Sequence, residues 1–177
     1  NTTYSAAYVV NINSSNITSC VYANTLYADT TKGFNCQNGV HKFFNNLNVV
    51  ADGNYYDGTN TNVTCDYEFY STTSDDPPNG THNHEFATAG ATCGGKIFTS
   101  ITDGSEDLHL DSAGDYFSDI NNNGWPELDT TGGITDDIDG DSRNASTPDP
   151  GADEYGITAY DRTVTGILPA MTGVIAR

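Results

Sequence analysis

Basic residues are scarce in this chain, which has six Lys and Arg but 24 Asp and Glu among its 177 residues. The resulting net charge of −18 repels phosphate backbones, so no nucleic-acid partner is expected. Divalent cations are the natural partners of such an acidic surface. No apolar run reaches the length of a membrane span, so no membrane insertion is expected.

Strong helix formers are also few: the chain has one Met, and no stretch carries a sustained apolar stripe at helical spacing. Asn, Thr, Ser and Gly supply most of the polar residues, which is typical of turns and β-strands. An aromatic content of 11% is too high for a disordered acidic tail, and the length suffices for one domain with a core. The composition therefore predicts a domain of strands and turns.

The four cysteines include no Cys-x-x-Cys pair, which argues against a zinc site built from them. Two disulfides can form in three connectivities, and the spacing does not choose among these. An even cysteine count on an acidic chain rich in Asn and Thr favours an oxidising, extracellular setting. The chain shows neither a signal peptide nor an initiator Met, so we expect a processed chain or a fragment. The disulfide candidates are Cys20, Cys36, Cys65 and Cys93.

Short apolar runs divided by Asn, Gly and Asp turns fill the first part of the chain. Every second residue from Val63 to Phe69 is apolar, which predicts a half-buried strand. Such runs recur at roughly twenty-residue intervals, the spacing of a solenoid repeat. Residues 30–39 and 51–62 are predicted turns, and 94–101 is predicted to hold a short strand. The other predicted strands lie in Tyr8–Ile12, Cys20–Ala28, Phe43–Ala51 and Asn62–Ser71.

Three phrases near the end of the chain, DLHLDSAGDYFSD, TDDIDGDSRN and DPGADEYG, carry a family resemblance. Their matching residues are Leu108, Leu110, Ser112, Asp119, Asp137, Asp139, Gly140, Arg143, Asp149, Gly151, Ala152, Glu154 and Tyr155. With the strand upstream, they make residues 40–156 similar to the C-terminal end of right-handed parallel β-helix repeat proteins, a group of large secreted, cell-surface and phage structural proteins. The resemblance implies an all-β fold, a right-handed parallel β-helix solenoid with a loop-rich C-terminal cap. It places β-helix rungs at 1–100, the acidic end cap at 101–160 and a connector or assembly tail at 161–177.

The resemblance also implies a role for the acidic phrases. They would cover the last strands, whose unpaired backbone is otherwise a template for aggregation. Arg143 stands there among many carboxylates, and a guanidinium binds a carboxylate as a two-pronged fork. We therefore predict a cap ion pair from Arg143 to Asp137, Asp139 or Glu154.

The stretch from Asp119 to Asp129 has the spacing of a calcium-binding loop, with Gly124 at its sharp turn. The predicted cofactor is calcium. The alternative is an Asn- and Gly-rich turn without a metal, because Thr130 stands where a closing acid is usual. A second cation could bind at Asp136–Asp141, although an arginine-stapled turn is favoured there. The predicted metal ligands are Asp119, Asn121, Asn123, Trp125, Glu127 and Asp129.

His82 and His84 lie on one side of a short extended segment, where they could ligate a transition metal. A His-x-His pair in a polar loop is more often solvated, and no third ligand stands out in the sequence. The solvated alternative is therefore favoured. His41 and His109 are single and are predicted to be structural.

Many β-helix proteins are polysaccharide lyases or hydrolases, so catalysis is the second function hypothesis. Lyases need a Lys or Arg base beside calcium, and hydrolases need two or three carboxylates on neighbouring strands. Lys32, Lys42 and Lys96 lie in no recognisable acidic motif. Asp66 and Glu68 share one strand face, for which a solvated pair is the simpler explanation. No catalytic residue is therefore predicted.

N-x-S/T sequons make the chain permissive for glycosylation in a host that glycosylates exported proteins. Several tyrosines could also serve as stacking platforms for glycans, although packing between strands is favoured. The glycosylation candidates are Asn13, Asn16, Asn62, Asn79 and Asn144. The tyrosines are Tyr55, Tyr56, Tyr67 and Tyr70.

The first function hypothesis is a non-catalytic structural or adhesive module in an extracellular, cell-surface or virion setting. The Thr- and Gly-rich tail at 161–177 favours self-assembly, or binding to other surface or virion proteins, through strand pairing. Carbohydrate is a further expected partner, and calcium is expected to stabilise the cap. The alternative is a polysaccharide lyase or hydrolase of the β-helix type.

Overall fold

The computed structural model describes residues 8–28, 32–50, 56–57, 62–71, 80–129, 131 and 133–156. The predicted assembly tail at 161–177 and the sequon at Asn79 lie outside these residues. So do the side chains of Asn13, Asn16 and Cys36. No helix in the described ranges is long and apolar enough to cross a membrane.

Ten strands and two short helices make up the described secondary structure. In chain order they are β1 (Tyr8–Tyr22), β2 (Thr25–Ala28), β3 (Lys32–Phe44), β4 (Leu47–Val50), β5 (Tyr56–Asp57), β6 (Val63–Asp66), β7 (Phe69–Ser71), β8 (His84–Phe86), α1 (Gly90–Gly94), β9 (Phe98–Ser100), β10 (Asp107–Leu110) and α2 (Phe117–Ile120). The predicted short strand near residue 98 is confirmed as β9. The predicted turn at 30–39 is wrong for most of its length, because β3 begins at Lys32.

Two parallel sheets form the centre of the molecule. In the first, β3 pairs with β1 on one side and with β5 and β6 on the other. In the second, the order is β2, β4, β7, β8. Tyr22 pairs with Phe44, and Phe44 pairs with Asp66. These partners on neighbouring strands are separated by the same number of positions in the sequence, which corresponds to the recurrence expected at roughly twenty residues. β9 and β10 form a separate antiparallel pair.

The predicted all-β, right-handed parallel β-helix is wrong. The described strands form separate short sheets and do not close into a solenoid. After β8, the chain continues into α1, the antiparallel β9–β10 pair and α2, where the resemblance implied rungs and a loop-rich cap. Period-two alternation and turn residues specify strands, but they do not specify how sheets close or stack. The fold is a mixed one, with parallel strands and short helices.

One backbone corner, used three times, connects the first sheet to the second. Ala23, Asn45 and Tyr67 follow β1, β3 and β6, and each adopts a left-handed conformation with φ of 50°, 61° and 53°. This conformation is uncommon for residues other than glycine and turns the chain sharply. The corner therefore places the strands on its two sides in different sheets.

A column of hydrogen-bonded side chains stacks just after the corners. Asn24 Nδ2 donates to Asn46 Oδ1 at 3.1 Å, and Asn46 Nδ2 donates to Glu68 Oε1 at 2.8 Å. Asn83 Oδ1 extends the column by accepting the backbone N–H of Glu68 at 3.1 Å. Since Asn46 and Glu68 are fully buried, the column satisfies polar groups that water cannot reach.

Apolar side chains pack in two clusters. The first comprises Leu26, Phe43, Val63, Cys65 and Tyr70, and the second comprises Leu47, Val49, Phe69, Phe86, Cys93, Ile97, Phe98, Leu110 and Ile120. In β6, Val63 and Cys65 are buried and Thr64 is exposed, so the predicted alternation is confirmed there. The second cluster joins the second sheet to α1, β9, β10 and α2, which anchors the C-terminal half to the sheet.

The C-terminal segment folds back onto the corner at Asn45. The Asn45 side chain donates to the carbonyl of Asp149 at 2.9 Å, and its Oδ1 accepts the backbone N–H of Trp125. The backbone N–H of Gly151 donates to the Asn45 carbonyl at 2.8 Å. Ala152 N–H donates to Thr25 Oγ1 at 2.9 Å. One corner residue thus fastens two distant segments.

Gly151 is expected to tolerate no side chain at this contact. Its φ is +93°, and an added Cβ would lie 2.7 Å from Thr25 Oγ1 and 2.9 Å from Leu47 Cβ. Gly151→Ala should therefore destabilise the chain by roughly 2 kcal/mol, from backbone strain and overlap together. Gly140 has a similar φ of +85°, but no atom lies within 4 Å of the position that an added Cβ would take, so Gly140→Ala should cost only about 1 kcal/mol. Urea unfolding measures both, and equal losses would contradict the close approach at Gly151.

Candidate functional site

A cleft of about 390 Å³ lies beside the third corner, at the β7–β8 edge of the second sheet. Two segments contribute its lining. The corner, β7 and the approach to β8 supply aromatic and imidazole rings, and the region of α2 supplies hydroxyl, carboxylate and amide groups. The lining residues are Tyr67, Phe69, His82, Asn83, His84, Ser118, Asp119 and Asn123.

Stacked rings form the first part of the lining. Tyr67 and His82 stack nearly parallel, with ring centroids 4.4 Å apart and an interplanar angle of 11°. Phe69 and His84 stack beside them at 5.5 Å and 24°. The parallel register of β7 and β8 places His84 directly opposite Phe69. Because 53% of the His82 side chain is exposed, its ring is available to a ligand.

A carboxylate fixes the orientation of His82. Asp66 Oδ2 lies 2.9 Å from His82 Nδ1, and Asp66 Oδ1 accepts the backbone N–H groups of His82 and Tyr67 at 2.9 and 3.1 Å. Partial burial opposes ionisation of Asp66, but the hydrogen bonds from His82 outweigh it and hold the pKa of this carboxyl below its usual value. Asp66 is therefore an ionised carboxylate that holds the imidazole with Nδ1 inward.

A second histidine–carboxylate pair spans the two segments of the lining. His84 Nε2 lies 3.7 Å from Asp119 Oδ2, and both side chains are partly exposed. Asn123 lies near Asp119 and donates from Nδ2 to the carbonyls of Ser118 and Asn121 at 3.3 and 3.1 Å. Together these groups offer a ligand both hydrogen-bond donors and acceptors.

The residues of the predicted calcium loop are divided between different environments. Asp119 and Asn123 line the cleft, whereas the Trp125 ring packs on Phe44 at 4.7 Å and the Trp125 carbonyl accepts the N–H of Leu128 at 3.1 Å. Glu127 Oε2 accepts the hydroxyl of Thr131. Asp119, Glu127 and Asp129 do not come together as a group of metal ligands within the described part of the chain. Calcium in this loop stays a prediction.

Arg143 lies at the centre of the acidic end, with 2% of its side chain exposed. Nη1 lies 3.5 Å from Glu154 Oε2 and donates to the carbonyl of Asp149 at 3.2 Å. Nη2 donates to the carbonyl of Gly151 at 2.8 Å, and Nε to that of Asp136 at 3.3 Å. Of the three predicted ion-pair partners, Glu154 is therefore the one that the structure places beside the guanidinium.

The other two predicted partners have different contacts. Asp137 Oδ1 accepts the N–H groups of Asp139 and Asp141, and Oδ2 accepts that of Glu154. Asp137 therefore closes the turn formed by residues 137–141, the DIDGD turn. Asp139 is exposed and contacts His109 instead. Asp137 therefore shapes the backbone of this turn, and Asp139 pairs with His109 rather than with the arginine.

Buried carboxylates surround the guanidinium. Burial raises the pKa of Asp149 to about 6, although the N–H groups of Asn122 and Tyr155 partly oppose this. Burial likewise raises the pKa of Glu154, although N–H groups from Asp149 and Asn144 and the charge of Arg143 oppose it. The carboxylates of Asp149 and Glu154 therefore form a closed electrostatic network with Arg143.

Most of the remaining candidate residues do not line the cleft. No disulfide joins Cys20, Cys65 and Cys93 to one another. Asn62 is exposed, whereas Asn144 uses its side chain within the acidic end, where its Oδ1 accepts the N–H of Ser146 at 3.0 Å. Of the tyrosines predicted as platforms, Tyr67 lines the cleft and Tyr70 is buried in the core, and the side chains of the other two lie outside the described residues. Among the predicted lysine bases, Lys42 is exposed on β3, Lys96 pairs with Asp115 at 2.5 Å, and the side chain of Lys32 is not described.

The two cleft histidines, for which the sequence favours a solvated loop, belong to ring stacks in the structure. A sequence signal is present, since His82 and His84 alternate as Tyr67 and Phe69 do. What the sequence does not reveal is the strand register that places His82 and His84 on Tyr67 and Phe69.

Comparisons of the chain with family models, curated proteins and solved structures find no match. The resemblance carried by the three C-terminal phrases thus stays a prediction. A fold alone would not assign a function in any case, because function depends on the chemistry of a site. Any functional conclusion for this chain therefore depends on the geometry of the cleft and of the acidic end.

Proposed function

We propose that this chain is a non-catalytic surface module that binds carbohydrate in the cleft. The observation that supports the proposal is the combination of two kinds of lining. The stacked rings of Tyr67 and His82 come from the corner and the β8 approach, and the polar groups of Asp119 and Asn123 come from the α2 region. Concave sites with aromatic walls and a few placed polar groups are typical of small-ligand binding.

A sugar ring matches this lining because it has two kinds of surface. Its C–H groups form an apolar face that packs on aromatic or imidazole rings, and its hydroxyls form a polar rim. The Nδ2 hydrogens of Asn123 are used on the carbonyls of Ser118 and Asn121, so Asn123 Oδ1 and the carboxylate of Asp119 can both accept from such hydroxyls. The fixed orientation of His82 by Asp66 lowers the entropy cost of presenting its ring.

The charge of the chain selects among glycans. With a net charge of −18, and with Asp66 and Asp119 at the cleft, the surface repels sulfated and uronic-acid polymers. Neutral glycans carry no such penalty. We therefore expect neutral oligosaccharides to bind better than polyanionic ones, with the difference shrinking at high salt.

His82→Ala is expected to weaken the binding of neutral oligosaccharides about tenfold, because it removes the exposed ring of the Tyr67 stack. Asn123→Ala should weaken binding by a similar factor through the loss of a polar contact. Isothermal titration calorimetry with neutral β-glucan, mannan and chitin oligosaccharides measures both effects. Circular dichroism and thermal melting establish that each variant is folded.

Tyr155→Ala is the matched control. Tyr155 is also exposed and also packs edge-on against a ring, that of Phe117 at 4.6 Å, but it does not line the cleft. Its loss should leave the dissociation constant unchanged. Equal weakening by Tyr155→Ala and His82→Ala, or no binding of any neutral oligosaccharide at millimolar concentration, would contradict the proposal.

The Asp66–His82 pair favours one second candidate, a polysaccharide lyase or hydrolase with His82 as the base. A carboxylate that holds Nδ1 leaves Nε2 to accept a proton from a substrate. The same titrations discriminate the two functions if the oligosaccharides are recovered and analysed by mass spectrometry. Intact sugars support the binding module, whereas shortened chains would support a hydrolase. Neutral sugars cannot yield unsaturated uronates, so the lyase is tested by incubating the chain with a uronic-acid polymer and searching for unsaturated uronates among the products.

A further inference from the structure

Three possible metal ligands converge at the junction of β10 and the acidic end, away from the cleft. His109 lies on β10, Asp139 lies in the DIDGD turn, and Asp153 lies in the segment that carries Glu154. One ligand atom from each lies within 4.8 Å of the other two. His109 Nε2 and Asp139 Oδ2 are 2.7 Å apart. No other group of three or more His, Cys, Asp or Glu side chains in the described ranges has this geometry.

His109 is held in the orientation that a metal ligand needs. Its Nδ1 contacts Asp107 Oδ1, a residue of the same strand, and this leaves Nε2 facing Asp139. Metal-binding histidines commonly hydrogen-bond a carboxylate through their other ring nitrogen, which fixes the ring and increases its basicity. The ring therefore presents one nitrogen to the junction and uses the other for support.

Asp153 supplies an independent reason to expect a cation. The residue is 7% exposed, and its Oδ2 accepts the backbone N–H of Leu110 at 2.8 Å. The nearby guanidinium of Arg143 forms its salt bridge with Glu154, and no Lys or Arg among the described residues forms one with Asp153. A buried carboxylate without a permanently charged partner is costly, and a bound cation removes that cost.

The backbone positions of the other ligands are fixed as well. Asp137 accepts the N–H of Asp139 at 2.9 Å and that of Glu154 at 3.3 Å, so one carboxylate holds the turn and the Asp153 segment together. Asp136 and Ser142 close the same turn with a β-bridge. The ligands thus come from segments whose relative positions are set before any ion binds, which favours binding.

We propose that His109, Asp139 and Asp153 form a binding site for a divalent transition-metal ion of the zinc type. An imidazole nitrogen with two carboxylates suits Zn²⁺ or Mn²⁺, whereas Ca²⁺ prefers sites made of oxygen ligands alone. Zinc bonds of about 2.1 Å place tetrahedral ligand atoms about 3.4 Å apart. His109 Nε2 and Asp139 Oδ2, which are 2.7 Å apart, therefore separate by roughly 0.7 Å, and the Asp153 oxygen, within 4.8 Å of both, approaches by up to about 1.4 Å. Three protein ligands leave a coordination position for water or for a group from a partner.

The experiment titrates the metal-free chain with Zn²⁺ in a calorimeter, and repeats the titration with Ca²⁺. One equivalent of Zn²⁺ is expected to bind, with an affinity at least tenfold above that for Ca²⁺. Asp139→Asn and His109→Gln should each weaken Zn²⁺ binding by at least tenfold. Co²⁺ gives an independent readout, because its visible absorption band reports nitrogen and oxygen coordination and should be lost in His109→Gln.

Asp115→Asn is the control, since Asp115 is also an exposed carboxylate but pairs with Lys96. It should bind Zn²⁺ as the unchanged chain does. Circular dichroism separates loss of the site from loss of the fold, and the conservative Asp139→Asn retains shape at an exposed turn. Zn²⁺ binding that is equal in Asp139→Asn, His109→Gln and Asp115→Asn, or no binding below millimolar Zn²⁺, would overturn the proposal.

Discussion

Arg143→Met is expected to destabilise the chain by roughly 3–5 kcal/mol, the largest loss that we foresee for a single side chain. The guanidinium donates to three backbone carbonyls and lies 3.5 Å from Glu154 Oε2, all in a buried setting. Met fills a similar volume but donates to nothing. The carbonyls would lose their partners, and the buried carboxylates of Asp149 and Glu154 would lose the cation beside them. Urea unfolding followed by circular dichroism measures the loss.

Lys96→Met is the matched control, because it also exchanges a paired cation for Met. Lys96 Nζ lies 2.5 Å from Asp115, but 32% of its side chain is exposed, against 2% for Arg143. Exposed ion pairs contribute about 0–1 kcal/mol, so this variant should unfold close to the unchanged chain. If the two variants lost the same stability, the buried network around Arg143 would not hold the acidic end in the way described.

The acidic end shows how far sequence reasoning reaches. Arg143 among carboxylates and turn glycines predicts an ion pair that holds the loop, and Glu154 is among its three predicted partners. The structure shows a single contact from Nη1 to Glu154 Oε2 at 3.5 Å rather than the expected fork. The backbone carbonyls that accept most of the arginine's hydrogen bonds cannot be predicted from the sequence, because every residue has the same carbonyl group. They are set by the turn that Asp137 closes and by the path of residues 149–151 over the Asn45 corner.

The fold is less predictable than its strands. Alternation locates β6, since a strand half-buried on one face needs an apolar residue at every second position. The predicted closure of the sheets is wrong, because closure depends on corner geometry. Of the three corner residues, Ala23 and Tyr67 are not residue types that usually adopt the left-handed conformation. The sequence at these two positions therefore does not predict a corner.

The cleft is hidden from the sequence for a related reason. Partner residues on β3 and β6 are all separated by the same number of positions in the sequence. Phe69 and His84 are separated by fewer positions, so repeating the earlier separation predicts the wrong partner for the Phe69 ring. The His-x-His pattern then looks like a solvated loop. The pairing register brings Tyr67 and His82 together, and the packing of α2 on the second sheet places Asp119 beside His84.

Glu68 is the one acid in the column of hydrogen-bonded side chains, and it makes the stability of the chain depend on pH. It is fully buried, and its Oε1 accepts both the backbone N–H and the side-chain Nδ2 of Asn46 at 3.2 and 2.8 Å. Burial raises the pKa of Glu68 well above its usual value, although the hydrogen bonds from Asn46 oppose this. Folding therefore favours the protonated carboxyl. Its contribution is fully present below the unfolded pKa and is lost as pH rises from there through the raised pKa of the folded state.

Glu68→Gln should remove this pH dependence, because an amide keeps the acceptor for Asn46 and never ionises. We expect the variant to match the unchanged chain near pH 4 and to exceed its stability by roughly 2–3 kcal/mol at pH 7, since burial of an ionised carboxylate costs several kcal/mol. Urea unfolding at a series of pH values measures the difference. Glu85→Gln, at an exposed position on β8, is the control and should change stability by less than about 0.5 kcal/mol throughout. An effect of Glu68→Gln that is the same at pH 4 and pH 7, or a loss of stability at pH 7, would contradict the prediction, because folding would then not favour the protonated carboxyl of Glu68.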